Sequence, residues 1–182
     1  MGFFNPILSN FKQNKFFRFL VFSSFLYLVL YLFYQFYIKQ YTFIDQAFIR
    51  VIINSSDWFL HLFGYKTFKI LRDTDFQALG IDGSNGIWVG GGCNAITLFF
   101  LFAVFIFAYP GQQKNKLWYI PMGILTVHIL NILRVVALTL IAFNCPNYLN
   151  FNHTYTFTLI VYGYIFLLWI WWVNRFSVDR KK

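Results

Sequence analysis

Three long apolar runs restrict this chain to folds that a lipid bilayer stabilises. They cover residues 19–38, 118–143 and 154–173. About 20 residues of helix, rising 1.5 Å per residue, cross a hydrocarbon core of roughly 30 Å. A fourth run, residues 94–109, is apolar but has only 16 residues. These lengths predict four transmembrane helices in a single integral membrane domain that spans residues 1–182.

The composition supports a membrane protein over a soluble or disordered one. Hydrophobic residues make up 59% of the chain and charged residues 12%, about half the charged share of an average soluble domain. Disorder requires low hydrophobicity and high charge. The apolar run near the N-terminus has full membrane length and lacks a small-residue cleavage site, so we expect a retained helix rather than a signal peptide. The predicted fold class is an all-α polytopic membrane protein.

The positions of Lys and Arg predict how the chain is oriented in the membrane. The net charge of +9 comes from 15 Lys and Arg against six acidic residues, all Asp. A basic balance can indicate a nucleic-acid binder, but here most bases lie at the ends of apolar runs, so we expect no nucleic-acid partner. With both termini in the cytoplasm, nine of the 15 bases are cytoplasmic: Lys12, Lys15, Arg18, Lys114, Lys116, Arg175, Arg180, Lys181 and Lys182. We therefore expect a multi-pass protein of the cytoplasmic membrane with an inner aromatic belt of Trp118, Trp169, Trp171 and Trp172.

In this topology, residues 39–93 form an extracytoplasmic segment. Apolar pairs recur across residues 43–63 at close to helical spacing, with polar residues between them. This pattern predicts an amphipathic helix on the outer membrane surface, acting as an anchor or as a lid. Residues 65–71 and 87–89 flank the turn-rich residues 82–86 and could be the short strands of a hairpin.

Cys93 is the first candidate for chemistry. It follows three glycines and stands with Asn94 at the start of the short second helix. Free N–H groups and the positive end of the helix dipole favour a thiolate at such a position, and glycines such as Gly92 let a ligand approach the backbone. The simpler interpretation is that the glycines form a loop and Cys93 is a small buried apolar residue.

Two further polar features belong to the third and fourth helices. Arg134 lies within an apolar run, where an arginine costs at least ~2.5–3.5 kcal/mol and marks a functional or partnered site unless it snorkels to the surface. Asn131 shares its helix face, and His128 lies partly on the same side. His153 begins the fourth helix and is able to transfer protons near neutral pH, although a histidine at the interface can equally be only solvated.

Helix geometry predicts that these side chains share one shallow layer. Cys93 and Arg134 each lie 16 residues from the cytoplasmic end of their helix, hence ~24 Å up a core of ~30 Å. His153 begins a full-length span at the outer boundary. With Cys93 as nucleophile, His153 as general acid and base, and Arg134 stabilising the thiolate or the oxyanion, such a set could cleave a peptide bond through a thioester. Depth alone does not show that the three meet laterally.

At these residues the sequence resembles the exosortase/archaeosortase family, and its small size is similar to that of the short exosortase F subtype. The family pattern is a Cys at the outer start of one helix, Asn-x-x-Arg in the next and a His at the outer start of the one after. Cys93, Asn131 with Arg134, and His153 match it within residues 88–173. Many members have Ser or Ala and then Gly after the Cys, whereas this chain has Asn94-Ala95, a difference that affects the turn and the oxyanion geometry.

The resemblance implies a membrane cysteine peptidase or transpeptidase. Its substrates would be exported proteins with a C-terminal sorting signal, which consists of a short recognition motif, a transmembrane helix and a basic tail. The enzyme would cut near the outer membrane surface and could pass the new carboxyl end to an acceptor. We expect no cofactor and no metal; Asn131, Asn94 and Gly92 would support the site.

The main alternative is a non-catalytic membrane scaffold or export component with a Cys93–Cys145 disulfide, since both residues are predicted on the oxidising side. A metal site of Cys93, Cys145, His153 and His61 has no recognised ligand spacing. A thiol oxidase usually needs a vicinal cysteine pair, which the chain lacks. A proton-coupled transporter would use acidic residues within the membrane, and no Asp lies in a predicted span. The peptidase or transpeptidase remains the favoured hypothesis.

Overall fold

The computed structural model describes residues 15–41, 43–71 and 76–176. Of the predicted cytoplasmic bases, Lys12, Arg180, Lys181 and Lys182 lie outside these residues. The long helices are α1 (Lys15–Phe33, continued by the turns Tyr34–Ile38 and Lys39–Tyr41), α2 (Ile44–Leu62), α3 (Ile96–Ala108), α4 (Gln113–Asn144) and α5 (Phe157–Phe176). The strands are β1 (Thr67–Ile70), β2 (Phe76–Ile81) and β3 (Ile87–Gly90). Short helical turns cover Pro146–Tyr148, Leu149–Phe151 and Asn152–Thr156 ahead of α5.

The prediction of four apolar helices of membrane length is confirmed. Among the described residues, the segments long and apolar enough to cross a membrane are Phe16–Ile38, Gly91–Ala108, Gln113–Asn144 and Pro146–Phe176. The helix predicted over residues 118–143 is longer than expected: as α4 it has 32 residues, or about 48 Å at 1.5 Å per residue. It therefore exceeds a hydrocarbon core of ~30 Å, and its C-terminal part packs on the sheet layer described below.

The apolar helices alternate in direction, so their ends gather in two groups. At one end, the ring of Phe19 in α1 lies edge-on to Tyr109 after α3, and Trp118 in α4 lies edge-on to Phe176 of α5, with ring centroids 5.2 and 5.7 Å apart. The start of α1, the α3–α4 connection and the end of α5 therefore meet here. The described bases of these segments are Lys15, Arg18, Lys114, Lys116 and Arg175. The start of α3 lies at the opposite end.

The predicted aromatic belt is partly a packed core. Trp172 is fully buried and its ring centroid lies 4.9 Å from that of Tyr119. Trp169 is partly buried and stacks on Phe105 at 4.2 Å. Only Trp118 and Trp171 of the four expose much of their side chains. The prediction of a surface belt was therefore wrong for Trp172, because its side chain is buried between α5 and α4.

α2 and an antiparallel sheet form a second layer beside α4. The strand order is β1-β2-β3, with Leu79 of β2 paired to Lys69 of β1 and to Ile87 of β3. One apolar cluster joins α2, the sheet and α4; its fully or nearly fully buried members are Ile49, Ile52, Ile53, Leu60, Leu79, Ile81, Val89, Val135 and Leu138. This layer rests on the half of α4 that begins near Arg134.

The helix predicted over residues 43–63 is observed as α2, but its apolar face packs on protein. Ile52 and Ile53 are fully buried against α4 and the sheet, whereas Val51 and Trp58 are exposed. The strands expected near residues 65–71 and 87–89 are β1 and β3. The middle strand β2 was not predicted, so an all-α description omits a three-stranded sheet.

Asp57 connects α2 to β1. Its carboxylate accepts hydrogen bonds from the Thr67 hydroxyl and, at 2.7 Å, from the Lys69 ammonium, and Nδ1 of His61 lies 3.5 Å away. Burial raises the pKa of Asp57, but the hydrogen bonds from Lys69 and Thr67 and the charges of Lys69 and His61 outweigh it and hold the pKa below its ordinary value.

Asp57→Asn should weaken this connection in a pH-dependent way. A carboxylate whose pKa is lower in the folded state stabilises fully above its unfolded value, about 3.9, and loses this effect as the pH falls through the folded value. At pH 7 we expect a loss of about 1.5–3 kcal/mol, as for hydrogen bonds to a charged group. Thermal unfolding in detergent should show this loss at pH 7 and a smaller difference at pH 3. Asp82→Asn, in the exposed β2–β3 turn, is the control. A difference between wild type and Asp57→Asn that is independent of pH would contradict the assignment.

Candidate active site

Cys93 ends a tight helical turn that connects the sheet to the membrane helices. The turn Gly91–Cys93 follows β3 directly, and α3 begins three residues after Cys93. Oδ1 of Asn94 accepts a hydrogen bond at 3.0 Å from the N–H of Ile96, the first residue of α3, as asparagine does in an Asx turn. Cys93 is a half-buried free thiol, and Cys145 is an exposed free thiol. The cysteine therefore stands beside the first turn of a helix whose free N–H groups are partly capped by Asn94.

The structure brings His153 to Cys93 across 60 positions of sequence. Cys93 Sγ and His153 Nε2 lie 3.8 Å apart, a separation at which a thiol can hydrogen-bond to an imidazole nitrogen. His153 belongs to the π-helical turn Asn152–Thr156 that precedes α5. When Nε2 is unprotonated it can accept the thiol proton. The depths estimated from the sequence did not show whether these residues meet laterally. In the structure, the side chains of Cys93 and His153 do meet.

Arg134 lines the same cleft as Cys93 and His153. Its Nε is buried and has no hydrogen-bond partner among the described residues. A buried donor left unsatisfied costs on the order of 1–3 kcal/mol. Arg134 is therefore held at the site with unused hydrogen-bonding capacity.

The cleft has a volume of about 300 Å³, near the lower limit for small-molecule sites. The cleft is bounded by three parts of the chain: Gly86 and the strand β3 that follows it, the part of α4 around Arg134, and the turns ahead of α5. Beyond the three polar side chains named above, it is lined by Gly86, Ile87, Trp88, Val89, Val135, Leu138, Leu149 and Asn150. An apolar wall with a few convergent polar groups is typical of a binding or active site.

Asn131 holds the backbone of the Cys93 turn. Its Nδ2 donates a hydrogen bond of 2.6 Å to the carbonyl oxygen of Cys93, and the side chain is buried. Asn131 and Arg134 are three residues apart on α4, so one helix face holds the turn through Asn131 and lines the cleft through Arg134. Asn131 is thus placed to position the nucleophile candidate, whereas Arg134 is placed to contact a ligand.

A buried polar network fixes the residue after Cys93. Nδ2 of Asn94 donates to Tyr34 Oη and to Asp45 Oδ1, each at 2.9 Å, and the Tyr34 hydroxyl donates to the Asp45 carboxylate at 2.7 Å. Asp45 is only 4% exposed and lies in the first turn of α2, where the helix dipole favours a negative charge. Asn94 therefore links α1, α2 and α3. Sequence reasoning missed both Tyr34 and Asp45; an acid beside apolar residues at the start of the amphipathic helix was the one available signal.

Other predicted residues lie elsewhere. A Cβ added at Gly92 would meet no atom within 4 Å, whereas one at Gly91 would lie 3.2 Å from an Asp45 carboxylate oxygen, so the close approach involves Gly91 rather than Gly92. His128 packs between the rings of Phe48 and Phe99. His61 makes its polar contacts with Asp57 and Thr67.

In the part of the chain that the structure describes, no three His, Cys, Asp or Glu side chains are grouped closely enough to hold a metal ion. Comparison of the chain with protein-family models, with curated proteins and with solved structures finds no match. The geometry of the cleft and the chemistry of its side chains are therefore the basis for assigning a function.

Ala95→Gly should stabilise the protein. Ala95 has φ = +62°, in the left-handed region, which costs a non-glycine residue roughly 1–2 kcal/mol. Glycine relieves this cost but loses about 0.5–1 kcal/mol through its greater freedom in the unfolded chain. We expect a net gain of about 0.5–1 kcal/mol, measured as a higher Tm in detergent. The control Ala103→Gly, in the interior of α3, should lower the Tm. A Tm lowered equally by both variants would contradict the assignment.

Proposed function

We propose that this protein is a membrane cysteine peptidase or transpeptidase of the exosortase type. Its substrates are exported proteins with a C-terminal sorting signal that includes a transmembrane helix. The observation that carries the proposal is the 3.8 Å separation of Cys93 Sγ and His153 Nε2 in a cleft that Arg134 also lines. A nucleophile beside a base is the shared requirement of covalent acyl transfer.

The proposed reaction proceeds in two stages. His153 accepts the proton of the Cys93 thiol, and the sulfur attacks the carbonyl carbon of the scissile peptide bond. The C–N bond then breaks, the leaving amine takes the proton from His153, and the acyl group remains on Cys93 as a thioester. Water or an acceptor amine attacks this thioester, gives a proton to His153 and releases the acyl group; the thiol recovers its proton from His153. Water gives hydrolysis, and an amine gives transpeptidation.

Arg134 supplies the electrostatic part of this proposal. A tetrahedral intermediate places a negative charge on the former carbonyl oxygen, and positioned donors stabilise that charge most strongly where water is excluded. Arg134 lines the cleft, and its guanidinium, which carries several N–H donors and a positive charge, would supply such stabilisation. Asn131 contributes indirectly, because its hydrogen bond to the Cys93 carbonyl fixes the turn that presents the sulfur.

The distribution of charge supports a cleft at the extracytoplasmic face of the cytoplasmic membrane. Arg18, Lys114, Lys116 and Arg175 belong to chain segments at the end of the helix bundle opposite the start of α3. Under the positive-inside rule that end is cytoplasmic, so both termini are cytoplasmic and Cys93 is on the outer side. A sulfur beside the first turn of an apolar helix suits a scissile bond that is held close to the bilayer by the helix of the sorting signal.

The turn after Cys93 is compatible with the resemblance to exosortases. Ala95 adopts a left-handed backbone conformation, which glycine adopts without strain, and many exosortases carry glycine at this position. Although Asn94-Ala95 differs from the usual pair of the family, Ala95 therefore has a backbone conformation that glycine adopts easily. Asn94 replaces a small residue and adds a hydrogen bond to the first N–H of α3 and the contacts to Tyr34 and Asp45.

Cys93→Ala should abolish processing, whereas Cys145→Ala should not. Only the first change removes the sulfur beside His153; Cys145 is exposed after the end of α4. The test expresses each variant in cells that lack the wild-type protein and quantifies, by mass spectrometry, the C-terminal peptides of exported proteins with a terminal transmembrane helix and basic tail. We expect intact C-terminal peptides to accumulate with Cys93→Ala and to be removed with Cys145→Ala. Normal processing by folded Cys93→Ala would exclude the mechanism.

Arg134→Lys should lower turnover severely while leaving the protein folded. Lysine keeps the charge but lacks the planar guanidinium and its Nε donor, and loss of one oxyanion donor typically costs about 10²–10³-fold in kcat. The measurement is the rate of signal removal in membranes at matched expression. Arg175→Lys, at the opposite end of the bundle, is the control and should process at the wild-type rate. Near-normal turnover by Arg134→Lys would show that Arg134 acts only as a charge.

A further inference from the structure

β3 is one of the two edge strands of the sheet; β1 is the other. In the order β1-β2-β3, β3 pairs with β2 on one side, and no described strand pairs with its other side. An edge of this kind presents backbone N–H and C=O groups that can pair with another extended chain. Trp88, in the middle of β3, is 57% exposed.

The cleft runs along this edge. Ile87, Trp88 and Val89 are consecutive, and all three line the cleft together with Gly86. Successive side chains of a strand point to opposite faces of the sheet. A cleft that touches three consecutive residues therefore follows the strand's edge rather than one of its faces, and the groups available along it include the main chain.

The edge leads directly to the nucleophile candidate. Only the turn Gly91–Cys93 separates the end of β3 from the Cys93 side chain. The four residues of β3, Ile87–Gly90, extend over about 13 Å at ~3.3 Å per residue, enough to pair with a short peptide segment. The cleft is also lined by Leu149, Asn150 and His153 from the turns ahead of α5, so an added strand would lie between β3 and these turns.

On the basis of the peptidase function proposed above, we propose that the substrate segment preceding the scissile bond binds as a fourth strand along the edge of β3. Main-chain hydrogen bonds to β3 supply affinity, and pockets for alternate side chains supply specificity, as in other cases of strand addition. The occupant is thus an extended peptide, and its end at Cys93 carries the carbonyl group that the sulfur attacks.

The direction of the bound segment follows from the path of this chain. From β3 the chain passes Cys93 and enters α3, which is apolar and of membrane length. A substrate segment that runs parallel to β3 likewise passes Cys93 and then enters the transmembrane helix of its own signal. An antiparallel segment would place that helix at the Gly86 end of the cleft, away from the sulfur. The proposal therefore specifies parallel pairing.

Strand pairing also defines which substrate positions are recognised. Ile87 and Val89 belong to the apolar cluster shared with α4, whereas Trp88 faces away from it. Alternate side chains of the bound segment would contact the apolar wall that includes Val135, Leu138 and Leu149, and those between would lie beside Trp88. Substrates should therefore carry apolar residues at every second position before the cleavage site.

Disulfide trapping with the full-length protein tests this arrangement. The protein carries Cys93→Ala, Cys145→Ala and Trp88→Cys, so that one cysteine is present. The probe is an exported substrate identified by the processing assay above, with single cysteines at six successive positions before its cleavage site. Under mild oxidation we expect cross-linking to alternate with a period of two positions, because alternate side chains of a paired strand share one side. Trp58→Cys, exposed on α2, replaces Trp88→Cys in the control and should give no such pattern.

A second measurement avoids changes to the protein. Synthetic substrate segments in which single amides are replaced by esters lose one backbone donor each. With the wild-type protein we expect KM to rise several-fold at alternate positions and kcat to change little. Uniform effects, or a period of three to four as for a helix, would overturn strand addition, as would a Trp88→Cys homodimer in which β3 pairs with a second copy.

The outcomes separate this inference from the proposed function. If the wild-type protein processes exported substrates and neither measurement alternates, strand addition is wrong and the peptidase function stands. If the wild-type protein processes no exported protein, the peptidase function is wrong and strand addition is excluded with it.

Discussion

Hydrogen bonds between buried polar groups fix the turn that joins β3 to α3. In an apolar interior an unpaired amide or carboxylate is costly, so the side chains that do pair there strongly favour one arrangement. Asn94 pairs with Tyr34 of the turn that continues α1 and with Asp45 of α2, and it accepts a hydrogen bond from the first N–H of α3. Asn131 of α4 holds the preceding carbonyl. Groups from α1 and its continuation, α2, α3 and α4 thus bind to two consecutive residues, Cys93 and Asn94.

This constraint links the membrane helices to the layer outside them. The sheet and α2 pack on the part of α4 that begins near Arg134, and the Cys93 turn connects that layer to α3. His153 approaches from the turns ahead of α5. A reactive group that must hold its geometry benefits from supports that are themselves fixed by packing and hydrogen bonds. The cleft therefore lies where the two layers meet, between an edge strand and a membrane helix.

The sequence predicted the helices well because a long apolar run within a bilayer must satisfy its own backbone hydrogen bonds, which a helix does within the segment. It predicted Cys93, Arg134 and His153 as candidates because polar groups in apolar surroundings are conspicuous. It missed β2, whose residues Phe76–Ile81 show no strict polar alternation because the strand lies in the middle of a small buried sheet. It also missed Tyr34, one of 12 tyrosines in a chain rich in aromatic residues, whose role depends on partners 11 and 60 positions away. Such long-range pairing has no local signal.

We propose that Cys93 is a free thiol, accessible from the outer face and activated by His153. The direct measurement is labelling of intact membranes with a membrane-impermeant maleimide, followed by mass mapping before and after reduction, with exposed Cys145 as an internal reference. We predict that Cys93 is labelled without reduction and reacts faster than Cys145, although it is less exposed, and that it loses this advantage in His153→Ala. A Cys93–Cys145 disulfide in native membranes, or a Cys93 that reacts more slowly than Cys145, would contradict the account.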